Sequence, residues 1–396
     1  MSKSDLSSVV ISVLVVLVIC IGSIKGWGEE KQRKEHQPTK WALPSMAQFG
    51  RLNLTISPDQ RWLCFFRKRL EGEKPGIFLG VGKYVMLDTK TGEETSVEDF
   101  FKKGSISGLV SSTGELQFSS SGKHVLVHAS PDMNAVMAGE ICSLFLVNLE
   151  SKDVTKLAGD FLVMGRWIGE SVVITSMDME RINPVKLVDI ANAKAKELRA
   201  CGFVHACDPL GRFIIMEGDP KKLGKPAKAK ESVGKNHLLA VNLEAEVIKD
   251  FGLTAGASIE NAMLSREGKY LIYNTGPLSE RQVRVVSVQD NHDRSIKSEA
   301  IPVAVSDNGI AIIAEGGSMG ALAAVAKGNA PRDLGYVVTS WDVDGNMTRV
   351  LEKDSIIHVL AIGNRLYYVT ATNKREPEVA FVALDALFGK AKSSKQ

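Results

Sequence analysis

Residues 316–320 read GGSMG, the G-x-S-x-G pattern in which a strained strand-to-helix turn presents a serine nucleophile. Ser318 follows a strand-like run and precedes ALAAVAK, a run able to form a helix. That chemistry also needs an acid and a histidine later in the chain, and an α/β sheet to strain the turn. His358 is the only later histidine, and alternating strand–helix units are missing from the sequence. Ser318 therefore reads as part of a glycine-rich connection.

Metal ligation fares no better. His124 and His128 share one face of a strand but stand about 13 Å apart, too far to hold one ion through bonds of about 2 Å. His205 and Asp208 form a loose pair with no third ligand near in sequence. Cys201 and Cys207, in CGFVHAC, are separated by about 20 Å along a straight strand, beyond the roughly 7 Å limit between bridged Cα atoms. Cys64 and Cys142 read as small packed apolar residues. No metal and no cofactor is expected.

Two charged stretches remain. Asp178, Glu180 and Arg181 in MDMERIN sit at the end of a strand-like run; paired carboxylates can do acid–base work, and a solvated loop explains them equally simply. KKLGKPAKAKESVGK, residues 221–235, carries Lys221, Lys222, Lys225, Lys228, Lys230 and Lys235 against a single Glu. Such a run is a solvated loop or a patch that attracts an acidic partner or an anionic lipid surface, worth up to about 1 kcal/mol per charge beside a membrane. Asn53-Leu-Thr and Asn346-Met-Thr are glycosylation sequons.

The elements that must carry these residues are repetitive. LTISPDQRWLCFF, LQFSSSGKHVLVHA, HACDPLGRFIIMEG, MLSREGKYLIYNTG and IPVAVSDNGIAIIAEG share one plan, an apolar run, a polar turn and a second apolar run. GRWIGESVVITSM and LAIGNRLYYVTAT are weaker copies. Each is followed by a second hairpin-like unit, from KYVMLDTKTGEETSV to EVAFVALDALFGKA, whose last strand is weak. Two hairpins give four strands per repeat, in about seven repeats of roughly 40 to 60 residues, the range of propeller blades. One four-stranded sheet cannot bury both its faces; sheets packed side by side around an axis can. The expected fold is all-β, a seven-bladed propeller of four-stranded antiparallel blades over 47–390, with residues near Trp41 to Ser45 completing the last blade.

The turn seen as SPDQR, SSSGK, DPLGR, SREGK and SDNGI resembles the repeat of TolB-type, WD40-like propellers, and that of the propeller in prolyl-oligopeptidase-like proteins, whose catalytic domain would need far more chain. The resemblance covers nearly all of 47–390 and implies partner binding more than chemistry. Antiparallel strands A to D place the A–B and C–D turns at one end of each blade and the B–C and D–A connections at the other. Long connections are where binding concentrates. The B–C segments are 67–83, 130–141, 177–183, 218–236 and 316–335, so the expected binding residues are Asp132, Met133, Asp178, Glu180, Arg181, Lys221, Lys222, Lys225 and Arg332. The first reading is a non-enzymatic protein-interaction scaffold. The alternative is an enzyme or small-ligand sensor with residues converging at the central channel.

The chain has 49 basic and 46 acidic residues among 396, so no nucleic-acid footprint is expected. From Leu6 to Ile24 there is no charge, enough to cross a bilayer as a helix. A cleaved signal peptide is the rival reading, opposed by Ile24, Lys25 and Trp27 where small residues belong. Residues 1–27 are thus expected to be a single transmembrane anchor, 28–46 a polar linker and 391–396 a basic tail. The lysines and arginines after the anchor favour a cytoplasmic body by the positive-inside rule. The family resemblance favours an extracytoplasmic one, and that placement is adopted as the expectation.

Overall fold

The computed structural model describes residues 41–42, 55–68, 82–103, 108–110, 116–131, 142–177, 182–224, 236–254, 258–276, 280–316, 335–351, 356–371 and 377–393. The expected anchor over 6–24 lies outside them; among the described residues no helix is long and apolar enough to cross a membrane.

The strands form seven antiparallel sheets. The first holds β2 (Thr55–Ile56), β3 (Trp62–Lys68), β4 (Gly82–Asp88) and β5 (Glu94–Ser96). In the second, the first strand is broken into β6 (Gly108–Val110) and β7 (Gln117–Phe118), both pairing with β8 (His124–Pro131), which continues to β9 (Cys142–Asn148) and β10 (Val154–Asp160). The third is β11 (Leu162–Ile168), β12 (Ser171–Met177), β13 (Pro184–Asp189) and β14 (Lys194–Cys201). The fourth is β15 (Phe203–Cys207), β16 (Phe213–Gly218), β17 (His237–Asn242) and β18 (Val247–Leu253). The fifth is β19 (Ile259–Leu264), β20 (Tyr270–Thr275), β21 (Gln282–Ser287) and β22 (Asp293–Lys297). The sixth is β23 (Ile301–Val305), β24 (Ala311–Glu315), β25 (Val337–Trp341) and β26 (Met347–Leu351). The seventh runs in the order β1 (Trp41–Ala42), β29 (Pro377–Ala383), β28 (Arg365–Ala371), β27 (Ile356–Ile362). The chain groups into two compact units, one containing 41–159 and the other containing 160–373.

Within the second unit, packing explains why the middle strands are apolar on both faces. Along β16, Ile214 and Met216 join Val173 and Val185 of the third sheet, while Phe213 and Ile215 join Leu271 and Tyr273 of the fifth. β17 divides in the same way, Leu239 and Val241 to one side and Leu238 and Ala240 to the other. The period of two of a strand therefore feeds two cores at once. Each such Ile or Leu contributes roughly 1.5–3 kcal/mol by leaving water.

The turn motif has a single mechanical cause. Its first residue is buried in four of the five copies, at Ser57, Ser119, Asp208 and Ser265. Its side-chain oxygen accepts a backbone N–H from beyond the turn: Trp62 at 2.8 Å, His124 at 3.2 Å, Arg212 at 3.0 Å and Tyr270 at 3.1 Å. Ser306 accepts Ile310 N–H at 3.0 Å in the same manner. The fourth residue closes the turn onto the first carbonyl and takes a positive φ, as Gln60, Gly122, Gly211, Gly268 and Gly309. Across each C–D turn, Asp88, Asn148, Asp189, Asn242, Ser287 or Asp342 accepts the N–H groups that follow it, the Asx-type local bond these residues favour.

Two helices depart from the all-β expectation. Helix α1 (Val97–Lys103) buries Val97, Phe100 and Phe101 in one core with Tyr84 and Met86 of the first sheet and Val125 and Phe145 of the second, Phe101 meeting Phe145 edge-on at 5.1 Å. Helix α2 (Leu384–Ser393) replaces the weak strand read at the end of EVAFVALDALFGKA. Leu384, Leu387 and Phe388 fall at i, i+3 and i+4, one face of a helix, and pack with Val350 and Leu351 of β26. Asp385 in the first turn accepts Asn364 Nδ2 at 2.6 Å.

His358, on β27, carries a pH dependence. Burial pushes it down to about 4 from 6.5. Between those values the unfolded chain takes up a proton that the folded one refuses, so its stability is complete above pH 6.5 and declines as pH falls toward 4. The residue keeps some solvent contact, which limits the loss to no more than about 3 kcal/mol. His358→Phe is expected to flatten this acid limb in urea melts taken from pH 7 to pH 4; an unchanged limb would refute the assignment.

Candidate binding surface

In the second unit, the B–C and D–A ends of consecutive sheets carry a polar side chain at or near the end of the second strand, and each ties down neighbouring chain. In the third sheet, Ser176 accepts Asn183 Nδ2 at 3.1 Å, and Asp160, at the end of β10, accepts it at 2.7 Å. In the fifth, Asn274 accepts Asn261 Nδ2 at 3.0 Å and donates to Ala300 O at 2.9 Å. Arg281 pairs there with Glu260. In the sixth, Glu315 accepts Ser298 Oγ at 3.0 Å.

The fourth sheet holds the most connected of these groups. Glu217, the last but one residue of β16, accepts the Thr254 hydroxyl at 2.9 Å and Asn236 Nδ2 at 3.4 Å through Oε1. Its Oε2 lies 3.4 Å from His205 Nε2. Glu217 and Asn274 hold the same register position, because Phe213 faces Asn242 as Tyr270 faces Ser287. A register shift between Val204 and Ala206 inserts His205 as the extra residue of its strand, the kind of bulge that re-aims a side chain. The two side chains are only 16% and 17% exposed. Burial alone would raise the Glu217 carboxyl; the neighbouring His205 ring, with the hydrogen bonds from Thr254 and Asn236, outweighs it and holds the group below the usual carboxylate range. Glu217 is therefore an anion at neutral pH, hydrogen-bonded by Thr254 and Asn236 and facing His205.

The crossover from β14 to β15 runs close behind it. A Cβ on Gly202 would stand 2.0 Å from the Glu217 carbonyl oxygen, and one on Gly218 would stand 3.0 Å from the Cys201 carbonyl oxygen. The 218–236 connection leaves from this point. Asp219 Oδ1 accepts Lys221 N–H at 2.9 Å, and Arg199 O accepts Gly224 N–H at 2.8 Å.

Of the residues expected to bind, Lys221 and Lys222 lie in this turn, Lys221 exposed and Lys222 half-buried. Asp132, Met133, Asp178, Glu180, Arg181, Lys225 and Arg332 lie outside the described residues, as does Ser318. The pairing of His205 with Asp208 is corrected. His205 meets Glu217 across the hairpin, whereas the buried Asp208 takes Arg212, with Nε at 2.7 Å and Nη2 at 3.0 Å. Glu217, Thr254 and Asn236 were not singled out by sequence reasoning; the available signal was a lone carboxylate in FIIMEG, an otherwise apolar strand. Among the described residues, Cys64, Cys142, Cys201 and Cys207 are not joined by a disulfide.

The fold is that of a β-propeller. No family model and no curated protein sequence matches the chain. Among solved structures it is similar to the acylaminoacyl peptidase of Pyrococcus horikoshii, with 11% identity over 87% of this chain and a TM-score of 0.48. The match spans 58% of that peptidase's length. It is also similar to the β-propeller domain of the Trilobed protease from Pyrococcus furiosus, with 14% identity, 84% and 97% of the two chains covered, and a TM-score of 0.47. TolB from Acinetobacter baumannii is similar at 11% identity over 76% of each chain, with a TM-score of 0.38. At these identities the likeness concerns architecture alone.

Proposed function

We propose that this propeller is a membrane-tethered, non-enzymatic scaffold that binds a protein partner through the B–C and D–A ends of its sheets, its body outside the cytoplasm. The observation that carries the reading is the difference between the two ends. The A–B and C–D turns are short and spend their polar side chains on their own backbone. The B–C connections vary from 372–376 to 316–336 and include the lysine-rich 221–235 segment. Variable connections on a rigid frame are the usual place for recognition.

The test is partner capture. Crosslinking in intact cells followed by recovery through a C-terminal tag is expected to retain one protein near stoichiometry. Shortening the 130–141 and 218–236 connections is expected to release it. A clean preparation without any partner would overturn the scaffold reading. Protease digestion of intact cells tests the placement separately, since a body shielded on the cytoplasmic side contradicts it.

A further inference from the structure

We infer that Glu217 is a joint: one carboxylate ties the far end of the 218–236 connection to the crossover that follows its sheet, so that losing it frees both while the sheet stays folded. Glu217 precedes the connection directly, Asn236 ends it, and Thr254 follows β18. All three meet at one oxygen, with Thr254 Oγ1 at 2.9 Å and Asn236 Nδ2 at 3.4 Å. A backbone bond from Thr254 N–H to Asn236 O at 2.9 Å depends on the same alignment. On its other side the carboxylate faces His205, whose Nε2 lies 3.4 Å from Oε2.

The remaining bonds of the first stem are local: Lys222 N–H to Asp219 O at 3.0 Å and Gly224 N–H to Arg199 O at 2.8 Å. The core of the fourth sheet does not need Glu217. Ile214, Ile215, Met216, Leu239 and Ala240 are fully buried apolar residues paired across β16 and β17. Local opening is therefore separable from global unfolding, the situation in which amide exchange resolves one from the other. The functional weight of the joint rests on the binding role proposed above, because it would set how the lysine-rich connection is presented. Its existence does not.

The test is amide hydrogen exchange on the full chain, comparing wild type with Glu217→Ala at one pH. The reporter is the Thr254 amide, which donates to Asn236 O, and the controls are the Lys222 and Gly224 amides, which donate to Asp219 O and Arg199 O, together with the amides within β16 and β17. Glu217→Ala is expected to speed exchange at Thr254 by about tenfold or more, the loss of a charge-assisted hydrogen bond, with the controls unchanged. A Thr254 amide at the wild-type rate overturns the joint. So do reporter and controls accelerating together, since that is plain destabilisation. Should the alanine variant fail to fold, Glu217→Gln keeps an acceptor oxygen and removes the charge, and a smaller acceleration confined to Thr254 is expected. Partner binding is read in neither arm, so failed capture removes the scaffold and leaves the joint standing.

Discussion

Asp208→Ala is expected to destabilise the protein by about 3 kcal/mol, measured as the shift of a urea transition. Asp208 is fully buried, and its carboxylate accepts the Arg212 backbone N–H at 3.0 Å together with two guanidinium bonds. Alanine would leave the turn without its internal acceptor. The guanidinium is half exposed and can turn to water, so the ion pair supplies less of the loss than the backbone cap does. That division makes a second variant informative. Serine stands at the same place in four other hairpins and accepts the equivalent N–H. Asp208→Ser should therefore recover most of the stability, leaving a deficit of about 1 kcal/mol. A serine variant as unstable as alanine would show that the charge, and not the cap, holds this turn.

Gly202→Ala is expected to be worse still. The new Cβ would lie 2.0 Å from the Glu217 carbonyl oxygen and 2.8 Å from Met216 Cε, at a residue whose φ is +157°. Methionine can move; a carbonyl inside a ladder cannot without breaking its register. Overpacking and the forced backbone conformation each cost about 1–3 kcal/mol, so a loss near 4 kcal/mol is anticipated in the same urea assay. Gly218→Ala, whose Cβ would stand 3.0 Å from a backbone oxygen, should lose less. A Gly202→Ala protein as stable as wild type would mean that the crossover is not packed against β16 in this way.

The legible part of the fold was local. The spacing of apolar runs around SPDQR, SSSGK, DPLGR, SREGK and SDNGI marks hairpins because the bonds that make the turn join residues at most five apart. The helices were less legible. VEDFFKK and LDALFGKAKS each carry an apolar face at helical spacing, yet they adjoin strands and are short enough to be taken for a strand end.

The B–C and D–A end was hardly legible at all. Thr254 and Asn236 lie 37 and 19 residues from the carboxylate they share, and nothing in the intervening chain marks them. His205 shows why proximity misleads. Asp208 is its near neighbour in sequence, but Asp208 turns into its own hairpin, while a one-residue register shift brings His205 toward Glu217. The sequence by itself determined the repeat, the hairpins and the two-faced apolar strands, since a period of two and a five-residue turn are written in consecutive residues. Only the tertiary structure decided which polar groups meet at Glu217 and how closely Gly202 approaches it. Strand register and sheet packing set those distances, and both are sums over many residues far apart in the chain.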